Sequence, residues 1–166
     1  MGDGNMELPK LVYYETENQY FEHYKRVYCR DKVYTFDGIR IFFDPKRFLH
    51  AFYEDDNTKQ YGGNKSKFCK VRAERIDWIK YVLADKDSVL YQGYNERVGI
   101  MPERRVAVIS RDKYVVVLNM FLNNNGELCG RFNTAFYANK SYERIIQSPL
   151  WDKEQCKACL KNKKGS

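Results

Sequence analysis

Hydrophobic and polar positions repeat with two different periods along the chain, and the change of period defines the predicted elements. Residues 33–43 form two β-rich runs around Asp37-Gly38, a dipeptide typical of a hairpin turn. Residues 44–54 predict a helix, because an aspartate can cap its first N–H groups and a proline fits its first position. Residues 72–84 show a second helical period.

The C-terminal half predicts strands joined by tight turns. The strand patterns cover residues 88–92, 104–111, 114–122 and 128–138, and a short helix follows over 141–147. Helices first and consecutive strands afterwards predict an α+β fold, with two or more N-terminal helices packed on a four-stranded antiparallel meander sheet. The polar, glycine-containing stretch 55–67 predicts a mobile loop.

Composition and charge narrow the class of protein. With 166 residues, of which 43% are hydrophobic, the chain can bury the core of one domain. Its formal net charge of +7 favours a polyanionic partner, either nucleic acid or an anionic membrane surface, although charge also serves solubility alone. No signal-peptide pattern and no membrane-spanning apolar run occur, so we expect a cytoplasmic protein with no membrane partner.

The five cysteines do not suggest a disulfide framework, because their number is odd and their spacing mostly irregular. Cys156 and Cys159 form a single CxxC pair, whereas a structural zinc site usually needs two such pairs or one pair with two histidines. His23 and His50 are the only histidines, and both lie far from this pair in sequence. The chain also lacks nucleotide-binding loop motifs and a carboxylate cluster suited to a two-metal nuclease. We therefore expect no metal and no cofactor.

His50 is a candidate general acid or base. On a helical wheel it falls on the polar side, opposite the phenylalanines and together with Lys46, Arg47 and Glu54. Imidazole exchanges protons near neutral pH, which suits this chemistry. The alternative is a solvated surface histidine with no role.

Two arginines lie toward the apolar side of the second predicted helix. Arg72 falls at the centre of the apolar arc and Arg75 at its side. A buried, unpaired charge is costly, so each guanidinium must be paired or must face a cleft. Both are candidate phosphate ligands, because arginine binds phosphate with two parallel hydrogen bonds. The alternatives are an ion pair with a core carboxylate and snorkelling from the helix end.

The last long strand pattern predicts two faces with different chemistry. A period of two places Leu128, Phe132, Thr134 and Phe136 on one face, and Arg131, Asn133 and Tyr137 on the other. The Thr134 hydroxyl could hold a phosphate oxygen, although a β-branched residue is also ordinary in a strand. Asn133 and Tyr137 could line a groove on the other face. Basic and polar side chains predicted to contact RNA are Lys46, Arg47, Lys70, Arg104, Arg105, Arg131 and Asn133.

Five segments together resemble one protein family. They are FFDPKRFLHAFYE, KVRAERIDWIKYVLAD, SVLYQGYNE, RRVAVISRDKYVVVLNMFL and FNTAFYANKSYERIIQSPLW. Their order is a helix with a histidine, a helix with RAERxxWI, and strands that end in one bearing a threonine. This order is similar to the phage-borne branch of the superfamily that unites barnase, EndoU, colicin-type tRNases and RelE. The resemblance covers about residues 40–151.

The resemblance implies a domain organisation and a set of catalytic positions. It places a ribonuclease domain over residues 41–151, after a tyrosine-rich extension of residues 1–40 and before a basic, CxxC-containing tail of residues 152–166. It implies a metal-independent endoribonuclease of toxin type. The implied catalytic residues are His50, Arg72, Arg75, Thr134 and Tyr137.

In the implied mechanism, His50 takes the proton of an RNA 2′-hydroxyl, whose oxygen attacks the adjacent phosphorus and forms a 2′,3′-cyclic phosphate. The arginines stabilise the charge on the phosphoryl oxygens, Thr134 orients the phosphate and Tyr137 protonates the leaving oxygen. The implied partners are transfer RNA or ribosome-associated RNA and a cognate immunity or antitoxin protein. The alternatives are a non-catalytic RNA- or protein-binding module on the same fold and a protein partner of ribosomes or of a phage machine.

Overall fold

The structure, a computed structural model, describes residues 8–55, 65–93, 105–110, 112–139 and 141–164. Its helices are α1 (Glu17–Tyr24), α2 (Phe48–Ala51), α3 (Lys70–Glu74), α4 (Ile76–Ala84), α5 (Tyr142–Ile146) and α6 (Lys153–Lys164), with a π-helix over Lys25–Arg30 and a 3-10 turn over Pro45–Arg47. Its strands are β1 (Val33–Tyr34), β2 (Arg40–Phe42), β3 (Tyr53–Asp55), β4 (Lys65–Phe68), β5 (Val89–Gln92), β6 (Arg105–Ile109), β7 (Tyr114–Leu122) and β8 (Leu128–Tyr137).

The described strands form two sheets. The larger sheet has six strands in the order β1-β2-β8-β7-β6-β5, and the smaller one pairs β3 with β4. All neighbours are antiparallel except β2 and β8, which run parallel. The predicted α+β class is confirmed, but the predicted four-stranded antiparallel sheet is wrong, because the sheet has six strands and is mixed. The local hairpin signal at residues 33–43 cannot show which strand the hairpin will join.

A glycine allows the close parallel pairing of β2 with β8. Ile41 pairs with Gly130, and the Ile41 side chain is 1% exposed. A Cβ atom at residue 130 would lie 2.8 Å from Ile41 Cδ1 and 3.3 Å from Met120 Sδ, which is too close for either neighbour to stay in place. The missing side chain therefore makes room for Ile41 at the centre of the sheet.

The first predicted helix is shorter than its sequence pattern. The Asp44 side chain accepts a backbone N–H, as its predicted cap role requires, and a 3-10 turn leads into α2. The helix ends at Ala51, and the next carbonyl, that of Phe52, accepts the N–H of Cys69 at 2.8 Å. Tertiary pairing of this segment overrides its helical pattern. Residues 56–64, most of the predicted loop, lie outside the described residues.

The second predicted helix is divided in two at Arg75, whose backbone angles are φ −96° and ψ 21°. The Arg75 N–H donates to the Arg72 carbonyl at 3.1 Å, and the Arg75 carbonyl accepts from the Trp78 N–H at 2.9 Å. This three-residue spacing is tighter than that of an α-helix. A single helical wheel over residues 72–84 therefore misplaces Arg72. The predicted layer of two N-terminal helices is wrong as well, because the described residues contain six α-helices spread along the chain.

The two faces of the large sheet bury different clusters. The helical face carries the main core, in which Val116, Leu118 and Phe132 pack with side chains of α1, α4 and α6. The other face buries a smaller cluster beneath α5, formed by Ala107, Ile109, Val115, Val117 and Ala138. A strand residue whose side chain belongs to one of these clusters can therefore be assigned to the corresponding face of the sheet.

Three tyrosines spaced four residues apart anchor the N-terminal segment in the main core. Tyr20, Tyr24 and Tyr28 are each at most 2% exposed. The Tyr20 hydroxyl donates to the Val12 carbonyl at 2.8 Å, and the Tyr24 hydroxyl donates to the Asp44 carbonyl at 2.9 Å. Buried phenols need such partners. The predicted boundary at residue 40 stays a prediction, but these three rings already belong to the main core.

The hydroxyl of Tyr28 is inserted into the hydrogen bonding of α4. It donates to the Ile76 carbonyl at 2.5 Å and accepts from the Lys80 N–H at 3.0 Å. In a regular α-helix these two backbone groups, four residues apart, pair with each other. Burial raises the pKa of Tyr28, so the hydroxyl stays protonated and keeps its donor role.

The predicted C-terminal tail contributes α6 to the core. Cys156 is fully buried and Leu160 is 4% exposed, and both pack in the main cluster. Cys159, the second residue of the CxxC pair, is half-buried.

Substituting Tyr28→Phe should lower the free energy of unfolding by about 1–3 kcal/mol, because the Ile76 carbonyl and the Lys80 N–H lose a buried partner. Urea unfolding monitored by circular dichroism measures the change. Tyr13→Phe is the matched control, since Tyr13 is 69% exposed and should change stability by less than about 0.5 kcal/mol. Equal stability of the two variants would contradict the bridging role.

Candidate functional site

A β-bulge in β8 changes which side chains face the helices. The register shifts between Val117, which pairs with Thr134, and Leu118, which pairs with Phe132, so Asn133 has no partner on β7. As a result Phe132 packs in the main core, whereas Phe136 packs in the smaller cluster on the other face. The sequence-based placement of these two phenylalanines on one face is wrong.

Thr134 lies on the face of the smaller cluster. Its strand partner Val117 belongs to that cluster, and paired residues share a face. The Thr134 side chain is 9% exposed, and its hydroxyl finds no hydrogen-bond partner among the described residues. Because α2 and α4 pack on the opposite face, the structure does not bring Thr134 together with His50 and Arg72.

Arg47 ties the start of α2 to the bulge. Its guanidinium donates to the Asn133 carbonyl through Nε at 3.1 Å and Nη2 at 2.9 Å, and Nη2 also contacts Asn133 Oδ1. The bulge leaves Asn133 without a partner on β7, and the fork of donors contacts its carbonyl twice. Burial lowers the pKa of Arg47, so desolvation weakens the preference for its charged form.

The Arg72 guanidinium reaches the end of α2, where His50 lies. The guanidinium of Arg72, on α3, donates from Nη1 to the carbonyl of Ala51 at 3.4 Å, the long end of hydrogen-bonding distance. His50 immediately precedes Ala51 and is half-buried. Both α2 and α3 contact β8. The structure therefore places two predicted catalytic residues beside one strand, with Arg47 one helical turn before His50.

Arg75 fills a structural position at the break between α3 and α4. Its Nη1 donates to the Val71 carbonyl at 2.8 Å, and its guanidinium lies 5.0 Å from the ring centre of Trp78. Burial raises the pKa of Tyr114, and the positive charges of Arg75 and Arg72 partly oppose this effect, so both arginines lie near that phenol. The Arg75 side chain is therefore held by the Val71 carbonyl and by the Trp78 ring.

Tyr137 lies at the same end of the sheet as these arginines. It pairs with Tyr114 across β7 and β8, and its side chain is 47% exposed. Through Tyr114, its strand partner, Tyr137 is related to Arg72 and Arg75. His50 is related to Arg72 through the Ala51 carbonyl, and Thr134 lies on the other face of the sheet.

The remaining predicted RNA contacts lie in different places. Lys46 and Lys70 are exposed at the starts of the 3-10 turn and of α3, and Arg104 lies outside the described residues. Arg105 pairs with Asn119, and Asn119 pairs with Arg131, so three strands carry these residues in one row.

A partly buried network around His23 was not predicted from the sequence. His23 is 7% exposed, its Nε2 donates to Asp77 Oδ1 at 2.7 Å, and its Nδ1 lies 2.9 Å from the Tyr14 hydroxyl. The network joins the N-terminal segment, α1 and α4. In the sequence, only the position of His23 among the tyrosines of α1 indicates that it is buried. The local sequence does not indicate that Asp77, which is far away in the chain, is its partner.

No group of three or more His, Cys, Asp and Glu side chains suited to a metal ion occurs within the part of the chain that the structure describes. Over the same residues, none of the helices combines the length and the apolarity that crossing a membrane requires.

Comparison of the chain with protein-family models, curated proteins and solved structures found no match. The family resemblance stays a hypothesis, and function is inferred from the described side chains.

Substituting Thr134→Val should raise the free energy of unfolding by about 1 kcal/mol, because a methyl group replaces a buried hydroxyl that lacks a partner. Thr16→Val is the matched control with the opposite sign. The Thr16 hydroxyl caps α1 by accepting the Gln19 N–H, so its loss should cost about 1 kcal/mol. Thermal unfolding measures both. Unchanged stability of Thr134→Val with strongly reduced RNA cleavage would restore Thr134 as a catalytic candidate.

Proposed function

We propose that the protein binds RNA and cleaves it without a metal ion. The observation that carries this proposal is the place of His50, a half-buried residue of α2, on a helix that contacts β8. Arg47 lies one turn before it in the chain, and Arg72 donates to the carbonyl of the residue after it. An imidazole that acts on a phosphate bound by guanidinium groups is a suitable arrangement for proton transfer.

In the proposed reaction, the His50 imidazole accepts the proton of a 2′-hydroxyl, and the 2′-oxygen forms a bond to the adjacent phosphorus. The bond from phosphorus to the 5′-oxygen breaks, which leaves a 2′,3′-cyclic phosphate on one product. The departing 5′-oxygen takes a proton from the Tyr137 phenol. Arg72 stabilises the charge that grows on the phosphoryl oxygens, the kind of contribution that is usually the largest in such catalysis.

Arg75 and Thr134 have no direct part in this proposal. Arg75 is held by the Val71 carbonyl and by the Trp78 ring, so its proposed role is to keep α3 and α4 in position. Thr134 lies on the other face of the sheet. The proposal keeps a cytoplasmic location, transfer RNA or ribosome-associated RNA as substrates and a cognate immunity or antitoxin protein as a partner.

A second candidate is a non-catalytic RNA-binding module. It is favoured by the exposure of Lys46, Lys70 and Arg131, three predicted RNA ligands whose side chains are accessible to a polyanion. Such a module would need the basic surface of the protein but not His50. The two functions therefore differ in a single measurable property, the dependence on His50.

Substituting His50→Ala should lower kcat/KM for RNA cleavage by about 10²–10⁴-fold, because a general base is removed. The variant should remain folded, which thermal melting checks, and its affinity for uncleavable 2′-O-methyl RNA should stay unchanged. Leu49→Ala is the matched control, since Leu49 is the adjacent residue of α2, is 60% exposed and carries no polar group. Cleavage is followed on total RNA in EDTA, with the ends mapped for cyclic phosphate.

Two outcomes would reject the proposed mechanism. Full activity of a folded His50→Ala protein would favour the binding module. Loss of wild-type cleavage in EDTA, with recovery on adding a divalent cation, would replace the metal-free mechanism by a metal-dependent one.

A further inference from the structure

Two rows of paired residues bring arginines and aromatic rings together on the sheet face opposite the main core. In one row Phe42 pairs with Arg131, which pairs with Asn119. In the next row Tyr34, Arg40, Cys129 and Phe121 pair in that order across β1, β2, β8 and β7. We call this surface the arginine–aromatic face and define it by the side chains Tyr34, Arg40, Phe42, Asn119, Phe121 and Arg131.

The rings and guanidinium groups of this face contact one another directly. The Arg131 guanidinium lies 3.9 Å from the ring centre of Phe121, and that of Arg40 lies 4.5 Å from the ring centre of Phe42. The ring centres of Phe42 and Phe121 are 5.9 Å apart. Arg40 also lies 5.9 Å from the ring centre of Tyr34. The face thus alternates positive charge with flat apolar surface.

This face presents two of its three rings to solvent. Tyr34 is 48% and Phe42 41% exposed, Phe121 is half-buried, and Arg131 is exposed as well. The cluster under α5 occupies the other end of the same sheet face, around Val115 and Val117. A cavity of about 580 Å³ borders the face, and Phe42, Phe121 and Arg131 line it.

The cavity links the face to the proposed catalytic edge. Its lining includes Asn119 and Arg47, and Arg47 precedes His50 by one turn of helix. A ligand that crosses the face therefore reaches Arg47, just before α2. The lining contains two arginines, four phenylalanines and one amide beside the carboxylate of Asp44, so its cations outnumber its one anion and it suits a polyanion that also has apolar faces.

We infer that the arginine–aromatic face binds a single-stranded segment of RNA, with bases stacked on Phe42, Phe121 and Tyr34 and phosphates held by Arg40 and Arg131. Aromatic stacking combined with basic residues is the general way in which proteins hold unpaired bases. A duplex hides its base faces and offers only phosphates. The inference rests on the proposed function in that RNA is the polyanion, and it specifies the single-stranded form of the substrate.

The surface is better suited to this ligand than to a purely structural role. An exposed cation–π contact stabilises a protein by only about 0.5–1 kcal/mol. This gain is small compared with the cost of leaving large apolar rings in contact with water. An acidic peptide would match the arginines, but it would leave the rings without stacking partners. The charge complementarity and the exposed rings together favour nucleic acid.

Binding is tested with a fluorescein-labelled 2′-O-methyl RNA of about 12 nucleotides, a length within the range that single-strand binding folds cover. This probe lacks the nucleophilic hydroxyl, so its affinity is independent of cleavage. Phe42→Leu and Phe121→Leu should each weaken binding by about 5- to 150-fold, the effect of losing one stacked base. Tyr13→Leu, an exposed aromatic outside the face, is the control and should bind like the wild type.

Arg131→Gln provides a second and independent measurement. Loss of one phosphate contact should reduce the slope of log affinity against log salt by about 1. Arg131 is exposed, so this variant keeps its fold and remains informative if a phenylalanine variant unfolds. Thermal melting of every variant confirms the folded state.

The outcomes separate this inference from the proposed function. Weakened binding by the leucine variants, with a duplex of the same sequence bound less tightly and insensitive to them, supports the face as a single-strand site. Wild-type affinity of both leucine variants, or binding of polyglutamate instead of RNA with the same dependence on Phe42 and Phe121, overturns it. Tight binding that His50→Ala leaves unchanged, without any cleavage by the wild type, rejects the proposed catalysis and keeps the inference.

Discussion

The parallel pairing of β2 with β8 is the interaction on which the other features of the protein depend. Gly130 leaves room for it, because a Cβ at that position would lie 2.8 Å from Ile41 Cδ1 and the side chain would have to shift. The pairing sets Phe42 beside Arg131 on one face of the sheet. It also directs the chain into α2, so that Arg47 reaches Asn133 at the bulge. Both candidate functional regions follow from this one contact.

The sequence predicted elements well where the signal is local. The strands β7 and β8 and their turn match the alternating pattern and the Asn-rich segment before Gly126, whose positive φ suits glycine. The helix patterns failed where tertiary contacts intervene, at Phe52 and at Arg75. The pairing of the N-terminal hairpin with β8 was not predictable, because the pairing of strands far apart in the chain gives no signal in the local sequence.

The candidate site was predicted in part for the same reason. His50 and Arg72 lie on the segments that the sequence indicated, and the structure places them near each other. Thr134 was assigned to the wrong partners, because one extra residue in a strand reverses the faces of everything beyond it. Phe42 and Phe121 were missed, since alternation shows the face of each residue but not which strands are neighbours.

The Tyr28 hydroxyl between Ile76 and Lys80 has a consequence for how this protein can be divided. A helix whose backbone hydrogen bonding includes a side chain from another segment is completed only when both segments are present. A fragment that begins at residue 41 would lack that phenol and the two other buried tyrosines of the N-terminal segment. Residues 41–151 therefore cannot be transplanted alone into a fusion protein, and any chimera must carry the tyrosine segment with them.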